Sequence, residues 1–156
     1  MLSFLLPYQP IIYAVSTILF FGYFTVCSWQ DWKSHTLPSG FAFAVYITEI
    51  INLSMTAAPK QLVWTLGEAV VLGLALMLAA YLFDIGGGDV IILPLMVFRC
   101  GLLTSIKLVV AGCLLTSILC LLHMLIRYRK LSLQAELPLI PGVTLFLFLH
   151  FLSTHI

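Results

Sequence analysis

The chain has 156 residues, 62% of them hydrophobic and 8% charged, with a formal net charge of +1 and a mean hydropathy of +1.15. A soluble domain averages about 45–50% apolar and about 25% charged residues, so this much apolar surface cannot be hidden in a core of its own and needs lipid as solvent. The near-neutral charge excludes the electrostatic footprint of a nucleic-acid binder, and the composition predicts an all-α, polytopic membrane protein.

A helix that spans a bilayer takes about 20 apolar residues, since each advances about 1.5 Å across a hydrocarbon core of roughly 30 Å. Six segments approach that length. Ile11–Trp29 is the first, opened by Pro10. The preceding "MLSFLLPYQP" has no basic residue and no small-residue cleavage site, so it reads as the lead-in to this helix rather than as a signal peptide. Gly40–Met55 is the second, Leu62–Phe83 the third, and Val90–Phe98 the fourth, with Leu103 as its furthest extension. Leu108–Ile126 and Leu139–Leu152 complete the set. The second, fourth and sixth are short, which predicts tilt, local thinning or helix ends inside a water-accessible cavity. Cys27, Cys100, Cys113 and Cys120 show no CxxC pairing and sit in or beside apolar segments, so they read as small buried side chains rather than a disulfide or metal set. Without repeats or low-complexity tracts, residues 1–156 are expected to form a single integral membrane domain of about six helices with no soluble domain.

The segment order has a topological consequence. Asp31 follows the first segment and Asp89 opens the fourth; two crossings separate them, which predicts a shared side of the membrane. Two further crossings bring "RYRK", Arg127–Lys130, to that side. The seven Lys and Arg then divide into four there (Lys33, Arg127, Arg129, Lys130) and three opposite (Lys60, Arg99, Lys107). The one dense cluster marks the Asp31/Asp89 face as cytoplasmic, with the N-terminus outside.

Ionisable groups near hydrocarbon are expensive and mark function or a buried pair. Asp31 lies in "SWQDWKSHTLPSG", expected just past the first helix, between Trp29 and Trp32, whose amphipathic rings suit the interface. Asp89 follows Gly86-Gly87-Gly88 in "FDIGGGDVIIL", where missing Cβ atoms let backbone approach closely and the segment hinge. Two carboxylates carried by different helices on one face can converge on one water. Such a pair does not comfortably hold two charges, so it shares a proton. The ionised member then activates the water, while the protonated member donates to a peptide carbonyl and the exchanged roles serve the leaving amine. A GxGD alone also marks an ordinary interhelical loop, and Asp31 alone an ordinary loop acid. Their pairing is what points to an aspartic peptidase, a reaction that requires no cofactor and no metal.

These motifs resemble those of the type IV prepilin peptidases, GxGD aspartic proteases of the cytoplasmic membrane. In that family an aspartate is followed, a few polar or basic residues later, by an aliphatic-Pro pair, matched here by Asp31 through Leu37-Pro38 in "DWKSHTLPS". A GxGD at a helix start follows, matched by Gly86, Gly87, Gly88, Asp89 and Val90 in "GGGDVIIL". A weaker echo is the Pro-rich opening of the last helix, "LPLIPGV" at Leu137–Val143. The resemblance implies that Asp31 and Asp89 are the catalytic pair, with Gly86 and Gly88 as motif or hinge residues. It implies a prepilin or pseudopilin substrate of a pilus or secretion system, whose short basic leader is cleaved at the cytoplasmic face, commonly after glycine. Departures bear on subfamily. Ile91 stands where the family often has Lys, Ser39 where it often has Asn, and the N-terminal cytoplasmic region with paired cysteines has no counterpart. That predicts a short, peptidase-only form without methyltransferase activity.

The remaining acids and His35 carry simpler readings beside functional ones. Asp84 is a solvated helix end, a contact for a basic leader, or an acid that supports Asp89 from behind. Glu49 and Glu68, inside the second and third segments, are expected to face the bundle and pair with polar groups or stay protonated. Glu49 is also a candidate substrate contact, as is His35, four residues after Asp31 and otherwise an interfacial loop histidine. Two other readings remain. Another GxGD intramembrane protease of the presenilin or signal-peptide-peptidase type would carry a "YD" motif, but Gln30, Phe83 and Gly88 precede the aspartates here. A non-catalytic membrane subunit or small transporter would instead use the glutamates for ions or a partner. The oligomeric state is left open.

Overall fold

The structure, a computed structural model, describes residues 7–34, 39–83, 87–128 and 140–155. It is an all-α bundle with six helices among the described residues: α1 (Gln9–Ser34), α2 (Ser39–Thr56), α3 (Pro59–Phe83), α4 (Gly87–Cys100), α5 (Leu102–Tyr128) and α6 (Ile140–His155). α1, α3 and α5 are long and apolar enough to cross a membrane, whereas α2, α4 and α6 are shorter apolar helices. The 14 residues of α4 reach about 21 Å, short of a hydrocarbon core of roughly 30 Å. Large apolar side chains such as Val63, Val71, Leu74 and Met77 on α3 and Leu114 and Ile118 on α5 are exposed. A stripe of this kind would be an aggregation liability in water and is an ordinary lipid-facing surface in a membrane.

Local chemistry explains the helix boundaries, including two that depart from expectation. α1 does not stop at Trp29 but runs to Ser34, so Asp31 sits on the helix rather than past it. No Gly or Pro lies between Trp29 and Ser34, and Pro38 is the first residue to disfavour helix in its predecessor. α4 ends at Cys100 rather than continuing to Leu103, because Gly101 takes φ +75°. That left-handed turn is open to glycine and strained for residues with a Cβ. Its N–H donates to the Val97 carbonyl at 2.9 Å, and its carbonyl accepts from Ser105 N–H at 3.0 Å and Ser105 Oγ at 2.7 Å. One residue thus closes α4 and opens α5. Pro59 opens α3, where its missing N–H costs no helical bond.

Packing divides into two compact units, one of Met1–Tyr23 with Pro38–Ser105 and one of Phe24–Leu37 with Ile106–Ile156. In the first, α4 packs against α2 and α3, and Ile92, Leu95, Met96 and Val97 are buried. A short helix buried on most of its circumference reads as a core element rather than a lipid-facing one. Pro94 lies inside α4, where its ring crowds the preceding turn and it has no N–H to give. In that disturbed turn the Ile91 carbonyl accepts a 2.5 Å hydrogen bond from Tyr46 Oη on α2, and Gly73 on α3 faces the Pro94 ring. Beyond the end of α4, a recess of about 300 Å³ is lined by residues that include Thr56, Gln61, Thr65 and Gly101.

In the second unit, α6 packs against α5 at two glycines. A Cβ added to Gly142 would lie 2.5 Å from the Gly112 carbonyl oxygen and 2.7 Å from Thr116 Cγ2, and one added to Gly112 would lie 2.6 Å from Val143 N. Small residues let helix backbones approach this closely, which is how helices associate in lipid without a hydrophobic drive between them. Thr116 Oγ1 folds back onto the Gly112 carbonyl at 2.9 Å. Its hydroxyl is thereby satisfied, and its methyl meets α6. Ile140, Val143, Thr144 and Leu147 form the buried stripe of α6.

Candidate functional site

Asp31 is placed by the periodicity of α1. Phe24 and Cys27 are fully buried, and Asp31 continues their stripe, half-buried, while Trp29 and Trp32 on either side of it are exposed. The residues three to four apart that form one helix face therefore turn this carboxylate inward although the interfacial tryptophans flank it in sequence. Its partner is the start of α6: Ile140 N–H donates to Asp31 Oδ2 at 2.9 Å. As the first residue of a helix, Ile140 has no acceptor for its N–H within α6, and a carboxylate at a helix N-terminus also meets the positive end of the helix dipole. Among the described residues Oδ1 carries no hydrogen bond.

Two more bonds extend the α1–α6 seam. The hydroxyls of Ser28 and Thr144 are 2.6 Å apart, and Thr144 Oγ1 reaches the Phe24 carbonyl at 3.5 Å. Moving down α1 from Asp31 to Ser28 matches moving up α6 from Ile140 to Thr144, so the two helices run antiparallel with a defined register. Beside this seam, Trp32, Leu115, Leu119, Cys120, Pro141 and Leu145 enclose an apolar cavity of about 90 Å³. Its walls offer a place for one aliphatic side chain and no charge.

Asp89 is the third residue of α4 and Gly88 the second, so the motif does open a helix. The Asp89 side chain is not among those described. Gly86, Asp84 and His35 lie outside the described residues.

Glu49 has a different setting. It lies near the middle of α2 and is 1% exposed. Ser16 Oγ donates to its Oε1 at 2.7 Å, and Arg99 Nη1 reaches Oε1 at 3.1 Å and Oε2 at 3.3 Å. Arg99, 9% exposed, also donates to Ser16 Oγ at 2.9 Å and to Thr17 Oγ1. Its guanidinium lies 4.9 Å from the centre of the Tyr13 ring and 5.6 Å from that of Phe20. Of the two states open to a mid-segment glutamate, internal pairing is the one observed. Two hydroxyls, two rings and a bidentate carboxylate surround a planar cation, an arrangement that suits arginine and that lysine does not reproduce. Glu68, half-buried, also has a polar partner, but from its own helix: it accepts from Trp64 Nε1 at 2.7 Å one turn earlier on α3.

Arg99 and Ile140 are the residues that reading the sequence passed over. Arg99 counts there as a topology charge, yet it is buried within α4. The signal was available: a carboxylate in mid-segment needs a counter-charge, and Arg99 is the basic residue in the tightest apolar surroundings, "LMVFRCGLL". Ile140 had none, because its role belongs to a backbone N–H and depends on where a helix begins. No group of His, Cys, Asp and Glu among the described residues is arranged to hold a metal. Comparison with protein families, curated proteins and solved structures finds no match for this chain.

Proposed function

We propose that this chain is a membrane aspartic endopeptidase that removes the short basic leader of prepilin-like proteins, with Asp31 and Asp89 as its catalytic pair. The observation that carries the reading is the ordered pair of motifs, "DWKSHTLPS" and "GGGDVIIL", in a chain whose helices place the first aspartate at the end of α1 and the second in the first turn of α4. Asp31 has the setting such a residue needs. It is half-buried, has one oxygen engaged by a backbone donor, and is followed by Trp32, which lines an apolar cavity. In the reaction, one carboxylate takes a proton from water as it attacks the scissile carbonyl while the other protonates the carbonyl oxygen. The first then passes its proton to the departing amine as the carbonyl re-forms and returns a proton to the second.

The active face is cytoplasmic in this proposal, and the membrane the cytoplasmic (inner) one. Burial of Arg99 against Glu49 supports that side, because the cations opposite fall to Lys60 and Lys107 against four on the Asp31 face. The same pairing commits Glu49 to internal partners and so weakens the ion-carrying alternative. The test is cleavage of a co-expressed prepilin with a basic leader, followed by its mobility shift. Asp31→Asn and Asp89→Asn should each abolish processing, while Asp84→Asn should keep most of it, as should Glu49→Gln when normalised to folded protein. Processing by both aspartate variants at the wild-type level removes the peptidase reading.

A further inference from the structure

The contact that fixes Asp31 does not come from a side chain, so its position depends on where α6 begins. Two features set that start. The Ser28–Thr144 bond holds the register of α6 along α1. The Gly112–Gly142 contact holds α6 against α5 so closely that a Cβ at 142 would fall 2.5 Å from a backbone oxygen, which α6 can relieve only by moving. Gly142 is two residues after Ile140, less than one turn from the N–H that reaches Asp31 Oδ2 at 2.9 Å. Pro141 between them has no N–H of its own to offer.

We propose that Gly142 is a positioning residue for Asp31: its contact with Gly112 seats the α6 N-terminus so that Ile140 N–H holds Oδ2 and orients the carboxylate, leaving Oδ1 for water. This rests on the peptidase reading above. A displacement of α6 lengthens the hydrogen bond from Ile140 N–H and frees the Asp31 side chain to rotate, and it also shifts Pro141 and Leu145, which wall the apolar cavity. Loss of the Ile140 N–H alone moves no cavity wall, so the effect of Ile140→Pro falls on kcat and not on KM.

The experiment uses the full chain in detergent micelles. Its substrate is a fluorogenic peptide with a basic leader, a glycine cleavage position and the first apolar residues beyond it. Gly142→Ala should lower kcat about 10- to 100-fold, the range for losing a hydrogen bond to a charged group. Gly67→Ala, on α3 with open space around it, should match the wild type. Ile140→Pro deletes the N–H at a position where a helix tolerates proline. Ile140→Ala shortens the same side chain and keeps the N–H. The kcat of Ile140→Pro should lie about 10-fold or more below that of Ile140→Ala, by the same loss of one charge-assisted bond. This pair decides the matter if Gly142→Ala does not fold, as judged by helical circular dichroism and a single elution peak. Equal kcat for the two Ile140 variants, or wild-type kcat in folded Gly142→Ala, overturns the proposal. Asp31→Asn separates the two levels of inference. If it cleaves normally the peptidase reading fails, whereas if it is inactive while Ile140→Pro is fully active only the role of α6 is lost.

Discussion

The two buried polar regions of this chain are built on opposite plans. Around Arg99 and Glu49 every charge is matched: the pair is nearly inaccessible, and Ser16, Thr17, Tyr13 and Phe20 occupy the remaining faces of the guanidinium. Around Asp31, among the described residues, a single backbone donor meets one carboxylate oxygen, the residue is half-buried, and the next residue, Trp32, lines an apolar cavity. A saturated ion pair has no capacity left for chemistry and serves to fix helices in a medium where an unmatched charge is costly. A carboxylate held by one oxygen keeps the other for a substrate or water. Both are acids in a membrane protein, and it is the number of committed partners, not the residue type, that separates scaffold from candidate catalyst.

The comparison can be broken most decisively at Asp31, its candidate catalytic end. Asp31→Asn should reduce leader cleavage by about 10²–10⁴-fold, the range for a general acid–base group, with unchanged resistance to unfolding in mixed micelles. A variant that lost stability and kept activity would reverse the assignment. At the scaffold end, Arg99→Ala should destabilise the folded protein by about 3–5 kcal/mol, because it leaves Glu49 buried and unpaired, measured by denaturant titration in detergent. Replacing both partners, Arg99→Met with Glu49→Met, should recover most of that loss, since the penalty arises from the charge left alone. Failure to recover would mean that the pair does more than join helices. A smaller effect, about 1 kcal/mol, is expected for Tyr46→Phe, which removes the side-chain donor to the Ile91 carbonyl beside Pro94. Thr144→Val should cost about 0.6 kcal/mol, the average for a side-chain bond between helices in lipid, and sharpen the α1–α6 seam.

Much of the architecture was legible in the residues. Mean hydropathy and the length of apolar runs lead to six helices because lipid leaves backbone polar groups no partner except each other. The short fourth segment was legible too, but its end was not, as the one-residue break at Gly101 is a matter of backbone φ and not of hydropathy. Asp31 shows the same limit. Its identity as a candidate came from spacing to Leu37-Pro38 and from the distant GGGD, yet its place on the helix followed from what is absent after Trp29, namely any helix breaker.

What the sequence determined by itself is the solvent of this protein, its helical class and the identity of the acids that a peptidase would use, since these follow from composition and from motifs along one chain. What only the tertiary structure decided is which polar groups are already taken. Glu49 and Arg99 are 50 residues apart, and Asp31 and Ile140 are 109 apart. No local pattern encodes such pairs, because they arise when helices cross, and the crossing of α5 and α6 depends on the missing Cβ atoms of Gly112 and Gly142.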